Sequence, residues 1–197
     1  MIMRQHLAVA LLATTAHALA PITRRHAAAA ATATVVAAPP RARAADGVYT
    51  SNDGTYSFAT PEGFEPKPKP VRTHADEVLY KDANRREIGV VVDRVTIAAL
   101  GDFGTPAFVG EKVVASERNR DGVTDAFLKN SRAVEKAGRT YYELAYGNAS
   151  SRGDFRFLSR VAVADGRLYV MTLKARADDT AAEGVLAAVA ESFRVGS

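Results

Sequence analysis

The sequence predicts an α+β fold, a central antiparallel β-sheet flanked by helices in an α/β/α sandwich. Three observations lead there. Short alternating or apolar segments recur between turn residues from Val48 to Ala175. Thr105-Pro106 has the form of a helix start, and Ala182, Val185, Leu186, Val189, Ala190 and Phe193 recur at helical spacing. Strands that follow one another without intervening helices pair antiparallel, and their apolar face needs a helical cover.

Each element has its own justification. Val48 to Ser51 is a short edge strand, and Asn52-Asp53-Gly54 is the turn after it. Tyr56 to Ala59 alternates as a strand and stops at Pro61-Glu62-Gly63. Pro66-Lys67-Pro68-Lys69-Pro70 is expected outside any ladder, as a stiff exposed loop, because proline cannot donate to one. Glu77 to Tyr80 and Ile88 to Val95 are strands; Val90, Val91 and Val92 make the second apolar on both faces, which suits a central position. A loop over Gly101 to Thr105 leads into a helix over Pro106 to Glu117, with Thr105 as cap and Pro106 at the first helical position. Phe127 to Glu135, Thr140 to Tyr146, Phe155 to Ala164 and Leu168 to Ala175 follow as strands. Asp165-Gly166 marks a two-residue hairpin between the last two. Thr180 and Glu183 are spaced as a capping box for the terminal helix. Gly184 costs that helix about 1 kcal/mol relative to Ala.

The first 44 residues differ in kind from the rest. They hold five Arg and no Asp or Glu. Residues 1–20 read as a signal peptide: Arg4, an apolar stretch from Leu7 to Thr15, then the small-x-small site Ala16-His17-Ala18. That stretch is about half the roughly 20 residues needed to span a bilayer. Residues 21–44 carry a second signal, Arg24-Arg25 ahead of the Ala-rich run His26 to Ala38, closed by Ala42-Arg43-Ala44. Ala16 to Pro21 resembles the cleavage motif of precursors bound for complex plastids through the endoplasmic reticulum, with Leu19 where that motif usually has Phe. The twin-Arg segment is similar to a thylakoid-transfer signal. The expected destination is the plastid thylakoid lumen, with residues 45–197 as the mature domain. A long Ala-rich leader of a bacterial exported protein is the alternative.

Composition excludes several functions for that domain. Five of the chain's 26 basic residues and none of its 22 acidic ones lie in the leader, so the remainder is near neutral, about −1. The pI near 9.4 therefore belongs to the precursor, and no nucleic-acid partner is expected. The chain has no Cys, which removes disulfides, thiol catalysis and zinc-thiolate sites. Of its four His, only His74 lies beyond the leader.

Six local motifs, in order, resemble the PsbP family of lumenal photosystem II proteins. They are Tyr56-Ser57-Phe58-Ala59-Thr60-Pro61-Glu62-Gly63-Phe64, Val78-Leu79-Tyr80-Lys81-Asp82, Leu100 to Pro106, Gly138-Arg139-Thr140-Tyr141-Tyr142-Glu143-Leu144, Gly166-Arg167-Leu168-Tyr169 and Ser192-Phe193-Arg194-Val195. The resemblance implies a protein that binds and does not catalyse: a monomer, peripheral to the thylakoid membrane, docked on photosystem II lumenal subunits or another thylakoid complex. It implies support of the oxygen-evolving complex, with calcium and chloride retention there, and no tightly bound cofactor. This chain departs from PsbP proper in two places. Only about ten residues separate Ala45 from the Tyr56 strand, and the Arg-Trp ahead of the last helix is missing, since the chain has no Trp. Both departures favour a PsbP-like or PsbP-domain protein and an assembly role. A small-ligand or lipid carrier is the remaining alternative; a large apolar cavity would favour it, and a filled core would favour partner binding.

Lys67, Lys69, Arg72 and His74 are the expected partner-binding residues. The proline spacing pre-orders the first three, so docking them on an acidic lumenal surface costs little entropy; a solvated linker is the alternative. His74 reads as a pH-sensitive contact or lone metal ligand, or else as a solvated loop residue beside Pro70 and Asp76. A Ser-His-acid triad would have to use His74, and no Gly-x-Ser-x-Gly elbow accompanies it. Asp53, Asp76, Asp82, Asp93, Asp102 and Asp125 offer oxygen ligands, but without a twelve-residue calcium loop they read as turn acids and caps. Gly104 to Lys112 lacks the spacing of a phosphate loop. Tyr141 and Tyr142 point to opposite sheet faces, so one of them is expected in the core. Asn148-Ala149-Ser150 is a glycosylation sequon.

Overall fold

The computed structural model describes residues 47–68 and 74–196. Both leader segments, 1–20 and 21–44, lie outside the described residues, as do Lys69 and Arg72. Ten strands and two helices follow in order: β1 (Gly47–Thr50), β2 (Tyr56–Thr60), β3 (Glu65–Pro66), β4 (Asp76–Lys81), β5 (Glu87–Arg94), α1 (Pro106–Arg118), β6 (Val123–Lys136), β7 (Arg139–Ser150), β8 (Phe155–Ala164), β9 (Arg167–Arg176), α2 (Ala182–Ser192) and β10 (Arg194–Val195). A 3-10 turn over Leu100–Phe103 precedes α1. The fold is sheet-dominated, with one helix on each face of the main sheet.

That sheet has seven antiparallel strands in the order β3-β4-β5-β9-β8-β7-β6. β1, β2 and β10 form a second, three-stranded sheet, where a single sheet was expected. β10 is the reason: it is two residues long, too short to show a period, and it pairs Val195 with Tyr56 across the whole chain. One face of the main sheet buries Ile88, Val90, Tyr141, Met171 and Leu173 under α2 and the small sheet. The other buries Tyr142, Leu144, Tyr146, Phe157 and Val161 under α1 and the Leu100 turn. Because both faces are covered, Tyr141 (1 % exposed) and Tyr142 (6 %) are both core residues, and the expectation of one is corrected.

The local signals at α1 hold. Thr105 Oγ1 accepts from the Phe108 N–H at 3.3 Å, and Pro106 opens the helix. Asp165 and Gly166 both take positive φ, 50° and 68°, as a two-residue primed turn requires. Ala137 and Gly138 repeat the device at 51° and 73° between β6 and β7. At α2 the expected capping box is absent. Asp179 Oδ1 accepts from the Ala182 N–H at 3.2 Å instead, and Thr180 makes no side-chain cap. Arg86 explains the substitution: its Nε and Nη2 hold both Asp179 oxygens, at 2.6 and 2.9 Å, and set the carboxylate against the helix start. The loop at Pro66 also differs from expectation. Pro66 pairs with Tyr80, and the Lys67 N–H donates to the Leu79 carbonyl at 2.8 Å. Proline is tolerated there because β3 is an edge strand, where its missing N–H costs no ladder bond.

Candidate functional site

Of the expected partner-binding residues, Lys67 follows β3 and His74 precedes β4, while Lys69 and Arg72 lie outside the described residues. At the corner where β3 meets β4, Tyr49, Phe58 and Tyr80 pack as an aromatic group, with ring centroids 5.1 to 6.0 Å apart. Tyr56 O–H donates to Asp76 Oδ2 at 2.8 Å and ties the small sheet to β4. Burial, then the Asp76 carboxylate, pushes the Tyr56 phenol far above its ordinary pKa. Lys67 emerges from this corner with its backbone pinned and its side chain exposed. Its ammonium donates to Glu65 Oε2 at 2.9 Å, which holds the Glu65 carboxyl below the usual carboxylate range. The Lys67 charge is thus balanced locally by Glu65.

His74 is not a solvated loop residue. Its side chain is 7 % exposed, and Nδ1 lies 2.7 Å from Asp93 Oδ2 at the end of β5. Two residues later β4 begins against β5, with Asp76 opposite Val92, so the His74–Asp93 pair staples the start of that pairing. The ring is thus largely buried against Asp93 at the start of β4.

The six acids singled out as oxygen donors are dispersed. Asp53 takes Arg167 Nη1 at 2.6 Å together with Ser51 and Thr55, and these donors, Arg167 first, hold its carboxyl far below the usual range. Asp82 accepts from the Arg86 backbone N–H, and Asp102 caps Ala98 and Ala99. Asp125 faces Arg118 at 3.8 Å. Among the described residues no group of three or more His, Cys, Asp or Glu converges. Asn148 is buried, 5 % exposed, and donates to Glu117 Oε1 at 2.7 Å, so the folded sequon presents no acceptor nitrogen to solvent.

One constellation went unread. Arg132 on β6, Glu143 on β7 and Arg160 on β8 stand opposite one another across three strands. Arg132 Nε donates to Glu143 Oε2 at 2.6 Å, and Arg160 Nε donates to Oε1 at 2.9 Å. Arg160 is 1 % exposed and also binds Glu191 of α2, which in turn meets Lys136. The signal was present in the alternation of β8. Arg160 is in phase with Leu158 and Ala162, so a charge sits where the period demands an apolar residue.

Two cavities among the described residues, of about 270 and 280 Å³, open to solvent and have mixed polar and apolar linings. Neither has the enclosed apolar wall that a lipid or ligand carrier needs.

The PsbP family model matches residues 47–195, nearly the whole described domain. The chain belongs to the PsbP family. PsbP domain-containing protein 2, chloroplastic, from Arabidopsis thaliana is 28 % identical over 126 residues, covering 64 % of this chain and 53 % of that protein. The chain therefore spans about half the length of this relative. In fold it is similar to cyanobacterial PsbP (CyanoP) from Synechocystis, at a TM-score of 0.66 and 21 % identity over 82 % of this chain and 98 % of that one. The yeast Ran-binding protein Mog1p shares the PsbP-like architecture more distantly, at a TM-score of 0.51 and 12 % identity over 76 % and 94 %.

Proposed function

We propose that this PsbP-domain protein is a non-enzymatic extrinsic protein of the thylakoid lumen, reached through a plastid. There it supports the stability or assembly of photosystem II by binding lumenal subunits. The single observation that carries this reading is the family match over the full domain, supported by a relative described as chloroplastic. The apolar cores buried on both sheet faces and the open, mixed-lined cavities favour a partner-binding module over a carrier. A relative described as a PsbP domain-containing protein, and the short spacer before β2, favour an assembly role over a resident subunit. Calcium and chloride retention follows from the family alone, and any calcium would be held jointly with the partner, since the six candidate acids are each engaged within the chain.

Fractionation of thylakoids tests the reading directly. The protein is expected, shortened by its leader, in a salt-extractable lumenal fraction that co-migrates with photosystem II or its assembly intermediates. Recovery at full length from the cytosol, or co-migration with no photosynthetic complex, overturns it. The Lys67 loop is tested in the same assay: changing Lys67 and Lys69 to Glu is expected to release the protein at lower salt, and unchanged association removes the loop from the interface.

A further inference from the structure

A cavity of about 60 Å³ lies at the C-terminal end of α1, and Glu117, Arg120, Asn148, Phe155, Phe157 and Lys174 are in its lining. The strands place Asn148 beside Phe155 and Phe157 beside Lys174 as direct cross-strand neighbours.

Charge around this cavity is paired off, with one exception. Glu117 is held by Arg120 Nη1 at 2.8 Å, and Asp121 by Arg152 at 3.3 Å. Glu87 gives Oε1 to Lys81 at 2.9 Å. Lys174 is left with a share of that same oxygen at 3.7 Å, beyond hydrogen-bond reach. Its ammonium rests over the Phe155 ring, 4.3 Å from the centroid, and makes no hydrogen bond among the described residues. The side chain is 22 % exposed, and burial pushes its pKa below the ordinary lysine value. A cation so placed is complementary to an added anion.

Asn148 adds a second requirement. It is 5 % exposed, and its Nδ2 donates to Glu117 Oε1 at 2.7 Å. The carboxylate is an acceptor only, which fixes the amide this way round. Asn148 Oδ1 is then buried with no hydrogen-bond partner among the described residues, and a buried acceptor calls for a donor. Chloride, nitrate or a plain carboxylate answers Lys174 and brings no donor. Water brings the donor and no charge. A small oxyanion that keeps one proton brings both. At about 15 Å³ for each water-sized group, the cavity has room for about four heavy atoms, which selects hydrogencarbonate from that class.

We propose that this cavity binds hydrogencarbonate, whose oxygens accept from Lys174 and from Arg120 and whose O–H donates to Asn148 Oδ1. Arg120 meets Glu117 through Nη1 alone, so its other N–H groups are available. The site goes beyond the partner-binding reading and stands whichever complex the protein serves.

The test is a titration of the isotope-labelled protein in sealed, near-neutral samples, followed by backbone amides and the Asn148 side-chain amide. Sodium hydrogencarbonate is expected to bind at a Kd of about 1 mM, shifting the Asn148 side-chain resonances and the Lys174 amide. Nitrate has the same planar shape without the proton, and it is expected at least about tenfold weaker, as is chloride. Lys174→Met keeps an apolar stem on Phe155 and removes the charge; it is expected to weaken hydrogencarbonate at least about tenfold. Equal binding of nitrate, shifts mapping elsewhere, no binding by about 50 mM, or unchanged binding by folded Lys174→Met overturns the proposal. So does inorganic phosphate binding more tightly than hydrogencarbonate, which would assign the cavity to the larger ion. The nitrate comparison needs no variant and decides the matter even where Lys174→Met does not fold.

Discussion

The Arg132–Glu143–Arg160 row makes a quantitative demand on stability. Glu143 is 7 % exposed and, among the described residues, is the one carboxylate paired with both arginines. Glu143→Leu leaves the Arg160 guanidinium in the core with Glu191 as its one remaining ionic partner. Removing one member of a buried pair costs about 3–5 kcal/mol. For a urea slope of about 2 kcal/mol/M, the unfolding midpoint should fall by about 1.5–2.5 M. Arg160→Met should cost less, about 1–3 kcal/mol, because Glu143 keeps Arg132 and the 63 % exposed Glu191 side chain returns to water. The double variant is the decisive measurement. With both buried charges replaced by apolar groups beside Leu158, Ala162 and Met171, it should recover to within about 1 kcal/mol of the original protein. The cycle should therefore show a coupling of about 3 kcal/mol or more. Additive losses, or a Glu143→Leu midpoint within about 0.5 M of the original, would refute the claim that burial of an unpaired arginine sets the cost.

Three further outcomes are expected. Arg86 holds the Asp179 carboxyl below its ordinary value near 4, so the stabilisation is complete above about pH 4 and is lost as pH falls through the lower folded-state value. Asp179→Asn should lower the melting temperature at pH 7 and flatten its decline in acid; parallel curves for both proteins would contradict the Arg86–Asp179 latch. Thr105→Ala should cost about 1 kcal/mol by chemical denaturation, through loss of the Phe108 N–H bond, and an unchanged midpoint would deny Thr105 its cap. His74→Ala should cost about 1–3 kcal/mol, because Asp93 loses the donor at 2.7 Å, and should loosen the β4–β5 hydrogen exchange around Asp76 and Val92. A loss confined to partner binding, with native exchange rates, would instead make His74 a contact residue.

Local chemistry was legible and long-range chemistry was not. Thr105-Pro106 and Asp165-Gly166 worked because each signal is complete within a few residues: the donor, the acceptor and the required φ belong to one short segment. Thr180 and Glu183 satisfied a local rule as well, yet Asp179 caps α2, because Arg86, far away in sequence, had already oriented its carboxylate. β10 was invisible for the same reason, since two residues acquire strand character only from the partner, Tyr56, that they meet. The site followed suit. The exposure of Lys67 follows from the prolines around it, whereas the burial of His74 depends on Asp93 of another strand. Arg160 was readable in principle, as a break in the apolar phase of β8, but the meaning of that break required Glu143 opposite it.

The position of the charged row follows from how much cover the chain supplies. Seven strands at about 4.8 Å spacing make a sheet on the order of 30 Å across, and a helix with its side chains covers only about 10 Å of it. On the α2 face the small sheet adds cover through Tyr56 and Phe58, which pack with residues of β5 and β9. α2 itself sits over β8 and β9, with Leu186 and Val189 in the same core. The β6–β7 strip is then left without an apolar roof, and Tyr141 is the last large buried residue toward it. An apolar strip there would be an exposed patch liable to nonspecific association. The chain instead places Arg132, Glu143 and Arg160 across it, with small Ala145 and Gly147 alongside on β7. Such an arrangement keeps the edge soluble while leaving it shaped and charged, and a selective interface needs both properties. On the opposite face α1 lies over β6 and β7, and Gly110 of α1 approaches Leu128 so closely that a Cβ would stand 2.8 Å from its methyl carbons.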